Sequence, residues 1–320
     1  MVLDQPAKNR SSTAAAGLFN PITGRKMVKT WLADELFPCL HQFYPEVERV
    51  TSSRFFYPMP IYRPFFSIEE QNEWMGKSTD TLFKNFTPRV SLTPQFGEKI
   101  SDPFGGLTLS QSGYIDTRAY LSAVRDYLLA RNSFQVATFD DRDLEIGVDG
   151  LRYGKLWARK VIFCQGVGNL SNRWFGMLPV KSLKGEYLTI QSQWVNDVIL
   201  NRGVYMVPGP DLGAWRVGAT YNWNDATAAI SDWARAELTQ KLNAVFRIPY
   251  TITGQQWGFR PTTSDRKPII GVHPDHPSLI IFNGLGTKGV SLAPYFSEVL
   301  FRLLENKGTI EREADVTRFI

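Results

Sequence analysis

The sequence is poor in cysteine and histidine, and it contains no grouping of the two that predicts a metal site. Only Cys39 and Cys164 occur, with three histidines, in 320 residues. Two cysteines cannot form a disulfide framework, so a reducing compartment is predicted. No C-x-x-C pair or Cys/His cluster is present to bind zinc. We therefore expect a cytoplasmic protein without a metal centre.

Long apolar runs and long basic runs are also missing. No stretch reaches the roughly 18 apolar residues that a membrane span requires, and no signal peptide is recognisable. The net charge of +5 and the isoelectric point of about 9.1 are mildly basic. No run of Lys and Arg exceeds two residues, however. The charge indicates a solvated surface and does not favour a nucleic-acid partner, although it permits anionic substrates.

The most informative segment runs from Trp257 to Gly289. It joins an Arg-Pro element, GFRPTT, to a short apolar strand predicted over 278–282 and to a glycine-rich turn, GLGTKG, that leads into a helical pattern. A strand that feeds a glycine turn at the start of a helix leaves backbone N–H groups pointing outward, with the positive end of the helix behind them. This arrangement suits an electron-rich ligand, although glycine turns also occur for steric reasons alone.

Three further stretches accompany this segment in a fixed order: SSTAAAGLFNPITGRK (11–26), VIFCQGVG (161–168) and LPVKSLKGEYLTI (178–190). With GFRPTTSDRKPIIG and FNGLGTKGV they make five elements that span nearly the whole chain. In this order they resemble the FAD-dependent oxidoreductases of the D-amino-acid oxidase and glycine oxidase type. The resemblance implies FAD as the cofactor and a small-molecule amine or amino acid as the substrate.

One element of the family's pattern is absent. The family opens with a strand, a G-x-G-x-x-G turn that cradles the pyrophosphate, a helix, and a second strand whose terminal acid binds the adenosine ribose. Here VLDQP follows Met1 at once and resembles the end of that second strand, with Asp4 in the acid's place. We therefore expect that the polypeptide starts roughly 30 residues inside the fold. The parallel sheet would then lack a central strand and keep an open apolar edge.

The expected fold class is α/β, with α+β character in the second domain. A Rossmann-like FAD-binding domain is expected over 1–46, 112–178 and 256–320, interleaved with an antiparallel-sheet substrate domain over 47–111 and 179–255. Hydrophobic residues make up 43% of the chain, which is enough for two cores.

Apolar spacing predicts four helices and several strands. The helices are expected over 27–44, from a cap at Asp116 or Thr117, over 230–246 and over 291–306. Strands are expected over 134–139, 144–148, 160–164, 183–192, 198–201, 204–207 and 215–219.

Two residues are predicted to act on the substrate and on the reduced cofactor. In the resembled family the arginine of the Arg-Pro element holds the substrate carboxylate, and Arg260 matches it. A guanidinium grips a carboxylate in a planar, bidentate way, which fixes the substrate's orientation. Lys288 and the amides of 286–289 could offset the negative charge that reduction places on the flavin. The alternatives are an Arg260–Asp265 ion pair and a solvent-facing Lys288.

The resemblance also implies the residues that contact the cofactor. Small and hydroxylic side chains would pack against the ring, since a side chain larger than alanine would displace it, and backbone from two later turns would approach the same group. These residues are Asp4, Ser12, Thr13, Ala15, Ala16, Gly17, Gly166, Gly168, Gly284, Leu285, Gly286, Thr287, Lys288 and Gly289. Asn20 and Arg25 come from the first of these stretches, where Arg25 could reach an anionic group or lie on a helix surface. Tyr205, Tyr221 and Trp223 could line the substrate cavity or simply pack.

The leading hypothesis is an FAD-dependent oxidoreductase that oxidises the C–N bond of an amino acid or secondary amine by hydride transfer. One alternative is a truncated, non-catalytic remnant that binds no FAD. Another is a flavin domain that acts on an amine carried by tRNA.

Overall fold

A computed structural model describes residues 1–5, 10–24, 27–86, 88–195 and 197–320. Arg25, a candidate for binding an anionic group, lies outside the described residues. The chain divides into two compact units. Unit 1 comprises Met1–Ser11, Ser122–Leu183 and Phe259–Ile320, and unit 2 comprises Ser12–Leu121 and Lys184–Gly258.

The strands follow in chain order. They are β1 (Val2–Asp4), β2 (Leu18–Phe19), β3 (Ile22–Thr23), β4 (Val28–Lys29), β5 (Phe56–Pro58), β6 (Ile61–Pro64), β7 (Arg89–Ser91), β8 (Gly106–Leu109), β9 (Gly113–Ile115), β10 (Phe134–Val136), β11 (Leu144–Ile146), β12 (Leu151–Tyr153), β13 (Leu156–Ala158), β14 (Val161–Phe163), β15 (Lys181–Ser192), β16 (Ile199–Arg202), β17 (Val204–Pro208), β18 (Ala214–Gly218), β19 (Tyr250–Thr262), β20 (Ile269–Val272) and β21 (Leu279–Asn283).

Six α-helices and five 3₁₀ turns are found among the described residues. The helices are α1 (Ser11–Ala14), α2 (Ala33–Thr51), α3 (Ile68–Lys77), α4 (Thr117–Leu129), α5 (Asp232–Asn243) and α6 (Gly289–Leu304). The 3₁₀ turns are Thr81–Phe86, Gly97–Lys99, Asp141–Asp143, Gly166–Ser171 and Val316–Arg318.

Unit 1 contains two parallel strand pairs. β1 pairs in parallel with β10, and β14 pairs in parallel with β21, which continues antiparallel to β20. A separate three-stranded meander is formed by β11, β12 and β13. The core of this unit packs apolar residues of the meander, of β14 and β21 and of the 174–180 segment around Phe163, Phe175 and Ile281.

Unit 2 is built on an eight-stranded sheet in the order β19-β15-β18-β17-β16-β6-β8-β7. The pairings across β15, β18, β17 and β16 are antiparallel, whereas β16 and β6 run in parallel. Alternate residues of β15, β17 and β18 point to one face, where Leu188, Met206 and Val217 join the core that contains Leu238 and Leu242 of α5. The next residues along each strand point to the opposite face, which carries polar side chains.

Helix caps explain two of the helix starts. Asp116 Oδ1 accepts hydrogen bonds from the backbone N–H groups of Arg118 and Ala119, so the predicted cap of α4 is confirmed. Ser231 Oγ accepts from the Ala234 N–H and starts α5 two residues after the predicted start at 230. α6 begins at Gly289, two residues before its prediction.

The helix predicted over 27–44 is wrong at both ends. Val28 and Lys29 pair with β3 in a short hairpin, and α2 begins at Ala33. Asp34 and Glu35 lie in its first turn, where the helix dipole favours acids. The prediction stopped at residue 44, where the apolar spacing that it used ends, whereas α2 continues to Thr51 with both Pro38 and Pro45 inside it.

Candidate functional site

In unit 1, two glycine-containing turns meet at the carboxyl ends of parallel strands. Gly166 follows β14 and Gly284 follows β21. Asn283, which is buried, donates from Nδ2 to the Gly166 carbonyl at 2.9 Å, and its Oδ1 accepts from the Gly284 N–H at 2.8 Å. One side chain therefore holds both turns together. Ligands of parallel α/β sheets bind at this end of the strands.

The Arg-Pro element lies against the same turns. The Gly286 N–H donates to the Pro261 carbonyl at 2.9 Å, and Thr262 forms an antiparallel bridge with Leu285. A Cβ at Gly284 would lie 2.9 Å from Thr263 Cγ2, at a φ of +73°. Glycine is therefore required at Gly284 both by conformation and by close approach. The structure thus brings Gly166, Gly168, the 260–263 segment and Gly284–Gly289 into one region of unit 1.

The backbone amides of the turn are only partly available to a ligand. The Gly286 N–H is donated to Pro261, and the Lys288 N–H is donated to the Leu285 carbonyl at 3.1 Å. Among the described residues, the N–H groups of Thr287 and Gly289 have no acceptor. Of the four amides of 286–289 that were expected to stabilise charge, those of Thr287 and Gly289 therefore remain as candidates. They lie at the N-terminus of α6, a helix of 16 residues.

Lys288 lies next to this helix start and is partly buried. Burial lowers the pKa of its ammonium group, and the nearby charge of Arg266 lowers that pKa further. Lys288 is therefore not the solvent-facing turn lysine of the alternative interpretation. A partly buried cation at a helix N-terminus adds to the positive potential there.

Arg260 lies near the end of β19 and is half-buried. The alternative partner proposed from the sequence, Asp265, forms its ion pair with Arg318, at 3.3 Å between Nε and Oδ2. Asp265 also accepts the Lys267 N–H at its other oxygen, at 3.1 Å. The carboxylate of Asp265 is thus already held by residues other than Arg260.

Asp4 ends β1, as the resemblance implied. Its Oδ2 accepts a hydrogen bond from Arg10 Nη1 at 2.7 Å, and both side chains are about one-third exposed. Hydrogen bonding to Asp4 raises the pKa of Arg10. Among the described residues, Asp4 Oδ1 has no donor.

In unit 2, the segment from Ser12 to Gly17 is held by its carbonyl groups. The Thr13 carbonyl accepts from Arg118 Nε at 3.2 Å, the Ala15 carbonyl accepts from Arg216 Nη1 at 3.3 Å and from Thr117 Oγ1 at 3.4 Å, and the Gly17 carbonyl accepts from the Ile115 N–H at 3.0 Å. Ala16 and Gly17 are buried, whereas Ser12 is exposed.

Three polar side chains join this segment to the eight-stranded sheet. Gln256 Oε1 accepts from Tyr187 Oη at 2.7 Å and from Arg118 Nη2 at 2.8 Å. Because Arg118 also binds the Thr13 carbonyl, a continuous hydrogen-bonded path runs from β15 and β19 to the segment. Sequence reasoning missed these residues because strand pairing, rather than local spacing, brings them together.

The same face of the sheet carries Arg216 and Tyr205. Gly218 of β18 lies opposite Tyr187 of β15 on one side and Tyr205 of β17 on the other. Arg216 precedes Gly218 by two residues in β18, so its side chain points to the same face. A Cβ at Gly218 would lie 2.6 Å from Tyr205 Oη, so the tyrosine ring lies across the glycine. The one available sequence indication was a lone arginine within the apolar strand AWRVG.

Other candidate side chains lie away from these contacts. Tyr221 and Trp223 are exposed, and Asn20 accepts the Ile22 N–H at 3.0 Å in a tight turn. Cys164 is exposed after β14.

Within the described residues, no group of three or more His, Cys, Asp or Glu side chains is arranged to hold a metal ion. No helix in the same part of the chain has the length and apolar character that a membrane crossing needs.

Comparison with known proteins gives related sequences and structures. Glycine oxidase of Bacillus subtilis (strain 168) is 28% identical over 172 residues, which cover 48% of this chain and 43% of that protein. The crystal structure of glycine oxidase from Geobacillus kaustophilus matches with a TM-score of 0.77 at 17% identity, covering 99% of this chain and 90% of that chain. Iminodiacetate oxidase (IdaA) from Chelativorans sp. BNC1 matches with a TM-score of 0.79 at 17% identity, covering 98% and 91%.

These likenesses confirm the predicted mixed α/β fold class with its large multi-stranded sheet. The sequence itself matches the profile of the DAO family, described as FAD dependent oxidoreductase, over residues 2–303. Since that match covers nearly all of the 320 residues, the chain belongs to the DAO family of FAD-dependent oxidoreductases.

Proposed function

We propose that this protein binds FAD and oxidises the C–N bond of a small amino acid or secondary amine. The observation that carries the proposal is the meeting of the Arg-Pro element with the turns at Gly166 and Gly284, at the carboxyl ends of β14 and β21. Family membership supports the cofactor, and the names of glycine oxidase and iminodiacetate oxidase support the substrate class.

The residues present fit an FAD group. Gly166 and Gly286 have φ angles of +57° and +55°, and the nearest atoms of the protein to a Cβ at these positions would be 3.7 Å and 3.5 Å away. Backbone at both positions is therefore not covered by a close neighbour. The N–H groups of Thr287 and Gly289 and the Oδ1 of Asp4 provide donors and an acceptor without partners among the described residues.

Cofactor contacts are proposed within each unit separately. In unit 1, Asp4 would accept hydrogen bonds from the adenosine ribose, while Gly166, Gly168 and the turn Gly284–Gly289 would lie against the flavin. In unit 2, the proposed contacts are Ser12, Thr13, Ala15, Ala16 and Gly17. Arg118 and Arg216 fix the carbonyls of that segment, so its position is set before the cofactor binds.

Arg260 would bind the substrate carboxylate and fix the orientation of the neighbouring carbon. A bidentate guanidinium does this in one plane, which a lysine ammonium cannot reproduce. FAD, when bound, would accept a hydride equivalent from the carbon that bears nitrogen. Lys288 and the start of α6 would stabilise the negative charge that results. Water would then hydrolyse the released imine.

The proposal also assigns each segment of the chain to cofactor binding or to substrate binding. We propose that 1–46, 112–178 and 256–320 hold the cofactor and that 47–111 and 179–255 form the substrate side. The compact units differ from this division, because residues 12–46 and 112–121 belong to unit 2. Compactness describes packing, whereas the proposal concerns which residues contact each ligand.

The proposal is tested by isotope substitution on the substrate. FAD-loaded protein is mixed anaerobically with an amino acid that reduces it, and the reduction rate is compared with that of the same amino acid deuterated at the carbon bearing nitrogen. We expect slower reduction of the deuterated compound, with ammonia or an amine and a carbonyl compound as products. Reduction without any C–N bond cleavage would overturn the proposal.

A further inference from the structure

Arg63 is a largely buried guanidinium whose donors the described residues leave unmet. It lies in β6, and its side chain is 12% exposed. Its Nη2 lies 3.6 Å from Glu70 Oε1, which is beyond hydrogen-bonding distance. Its Nε is enclosed and has no acceptor among the described residues. Since an arginine carries five N–H donors and stays charged in a protein, Arg63 still needs acceptors and a counter-charge.

Glu70, in α3, cannot meet that need because its carboxylate is already used. Its Oε1 accepts a hydrogen bond from Arg202 Nη1 at 2.5 Å, and its Oε2 accepts from the Phe66 N–H at 3.1 Å. The side chains of Arg202 and Glu70 are 13% and 19% exposed. Two positive charges therefore share one negative charge where little water is present. We call Arg63, Glu70 and Arg202 the Arg63 cluster.

The excess of positive charge in the Arg63 cluster acts on Arg63. Burial, followed by the charge of Arg202, lowers the pKa of its guanidinium to about 10, and Glu70 opposes these effects only in part. Arg63 nevertheless remains charged at neutral pH, because that pH lies well below its pKa. The cluster thus keeps a net positive charge, which a bound anion would neutralise.

Arg318, in unit 1, shows how this chain satisfies an arginine of similar exposure. Its side chain is 14% exposed, and its Nε lies 3.3 Å from Asp265 Oδ2. Its Nη1 and Nη2 also donate to three backbone carbonyls, those of Asp315, Lys267 and Pro268. Among the described residues, Arg63 has no such carbonyl partners. The unmet donors therefore distinguish Arg63 from an arginine with a structural role.

The Arg63 cluster can be reached from solvent. The guanidinium carbon of Arg202 lies 3.8 Å from the centre of the Phe66 ring, and Phe66 is 50% exposed. Nη1 and Nη2 of Arg63 are not among the enclosed nitrogens that lack a partner. Arg63, Phe66, Glu70 and Arg202 all belong to unit 2. An anion can therefore approach these donors within that unit alone.

We propose that the Arg63 cluster binds the phosphate group of a small ligand, through residues that the proposed oxidation does not use. A phosphate group presents three or more oxygens in different directions, so it can accept from two guanidinium groups that do not share a plane. A single carboxylate lacks this reach, since Glu70 binds Arg202 and leaves Arg63 at 3.6 Å. Phosphate would satisfy donors of Arg63 and neutralise the excess charge.

The test is a calorimetric titration of the FAD-loaded protein at low ionic strength. Inorganic phosphate, glycerol 3-phosphate and acetate are added in separate experiments. We expect saturable binding of phosphate that is about tenfold tighter than that of acetate. Tighter binding of glycerol 3-phosphate than of inorganic phosphate would support a phosphate ester as the ligand, and the reverse order would support free phosphate. Absence of saturable phosphate binding, or equal binding of acetate, would overturn the proposal.

Variants then assign the binding to the Arg63 cluster. Arg63→Met should weaken phosphate binding about tenfold or more. Glu70→Gln keeps an acceptor for the Phe66 N–H and removes the competing negative charge, so it should tighten phosphate binding about tenfold. Arg49→Met, which removes an exposed arginine of unit 2 that is paired with Glu46, should leave the affinity unchanged. If the cluster were only structural, Glu70→Gln would bring no gain, and that result would overturn the proposal.

Further controls separate this site from the proposed substrate site. Circular dichroism checks that each variant is folded, and if Arg63→Met does not fold, Glu70→Gln decides the question. Arg260→Met should leave phosphate binding unchanged. If phosphate binding is lost in Arg260→Met and kept in Arg63→Met, the anion binds at the proposed substrate site and the inference is wrong. If phosphate binding depends on Arg63 but no amine reduces the flavin, the inference is supported and the proposed oxidation fails.

Discussion

Two buried cations in unit 2, Lys184 and Arg216, differ in their partners among the described residues. Lys184 is 1% exposed, and its Nζ donates to Asp225 Oδ2 at 2.7 Å and to Thr227 Oγ1 at 3.1 Å, with Glu186 Oε1 at 3.8 Å. The protein itself supplies all of these partners, so Lys184 has a structural role. Among the described residues, Arg216 makes one hydrogen bond, to the Ala15 carbonyl at 3.3 Å. At the scale of one residue, the number of partners that the described residues provide separates the structural role of Lys184 from the contact of Arg216.

Replacing Lys184 should destabilise the fold strongly. Lys184→Met leaves Glu186, which is 2% exposed, with less positive charge to balance it. We expect the free energy of unfolding to fall by about 3 kcal/mol, as for other broken buried pairs. Lys241→Met serves as the control, because its i,i+4 pair with Glu237 is partly exposed and should change stability by less than about 1 kcal/mol. Equal losses in urea unfolding would contradict the structural role.

The same contact predicts an acid-dependent difference. Hydrogen bonding from Lys184 lowers the pKa of Asp225 from 3.8 to about 2, with Thr227 as the next cause. A carboxylate with a lowered pKa stabilises the fold above its unfolded pKa, and this contribution is lost as the pH falls through the folded value. The stability gap between wild type and Lys184→Met should therefore narrow between about pH 4 and pH 2. A gap that stays constant through this range would show that Asp225 is not the partner that matters.

Arg260 provides the residue-scale test of substrate binding. Arg260→Met should lower kcat/KM for an amino-acid substrate by about a hundredfold, since a charge-assisted bidentate contact is lost. Arg260→Lys should recover only part of this loss, because lysine cannot bind in the same plane. Steady-state kinetics with Arg312→Met, an exposed arginine of unit 1, provides the control. Unchanged kinetics in Arg260→Met would remove Arg260 from the site.

At the scale of elements, the sequence predicted strands and caps better than it predicted helix ends. β15, β17 and α4 follow their apolar patterns closely, because alternation and a capping Asp are local properties. The end of α2 was missed because the apolar spacing that predicted the helix ends near Tyr44, whereas the helix continues to Thr51. Gln256 and Arg118 were missed because their contact joins residues 138 positions apart.

The 12–17 segment gives the element-scale prediction. A Cβ at Gly17 would lie 1.9 Å from the Ile115 carbonyl oxygen, at a φ of +73°. Gly24 has a φ of +80°, and no atom of the described residues lies within 4 Å of such a Cβ. Gly24→Ala should therefore show only the backbone cost of about 1 kcal/mol, and Gly17→Ala should add overpacking of about 1–3 kcal/mol. Thermal unfolding that shows equal losses would contradict the close packing of Gly17.

At the scale of the whole molecule, the order of five motifs was enough to predict the family and the fold class. The resemblance could not assign residues to compact units, since packing grouped 12–46 with the antiparallel sheet. It also could not reveal the contact of Arg216, because the Ala15 carbonyl that accepts its hydrogen bond lies far away in the sequence. The order of the motifs indicates the features that the chain shares with its relatives, whereas the contacts between distant residues can be seen only in the structure.

The most direct test of the whole account is a spectroscopic titration of the purified protein with FAD. We predict saturable binding that shifts the oxidised-flavin absorption, followed by loss of that absorption when an amino acid or secondary amine is added without oxygen. Asp4→Asn should weaken the binding of FAD and leave the binding of riboflavin, which lacks the adenosine ribose, unchanged. Absence of saturable FAD binding in a folded protein would contradict the central claim.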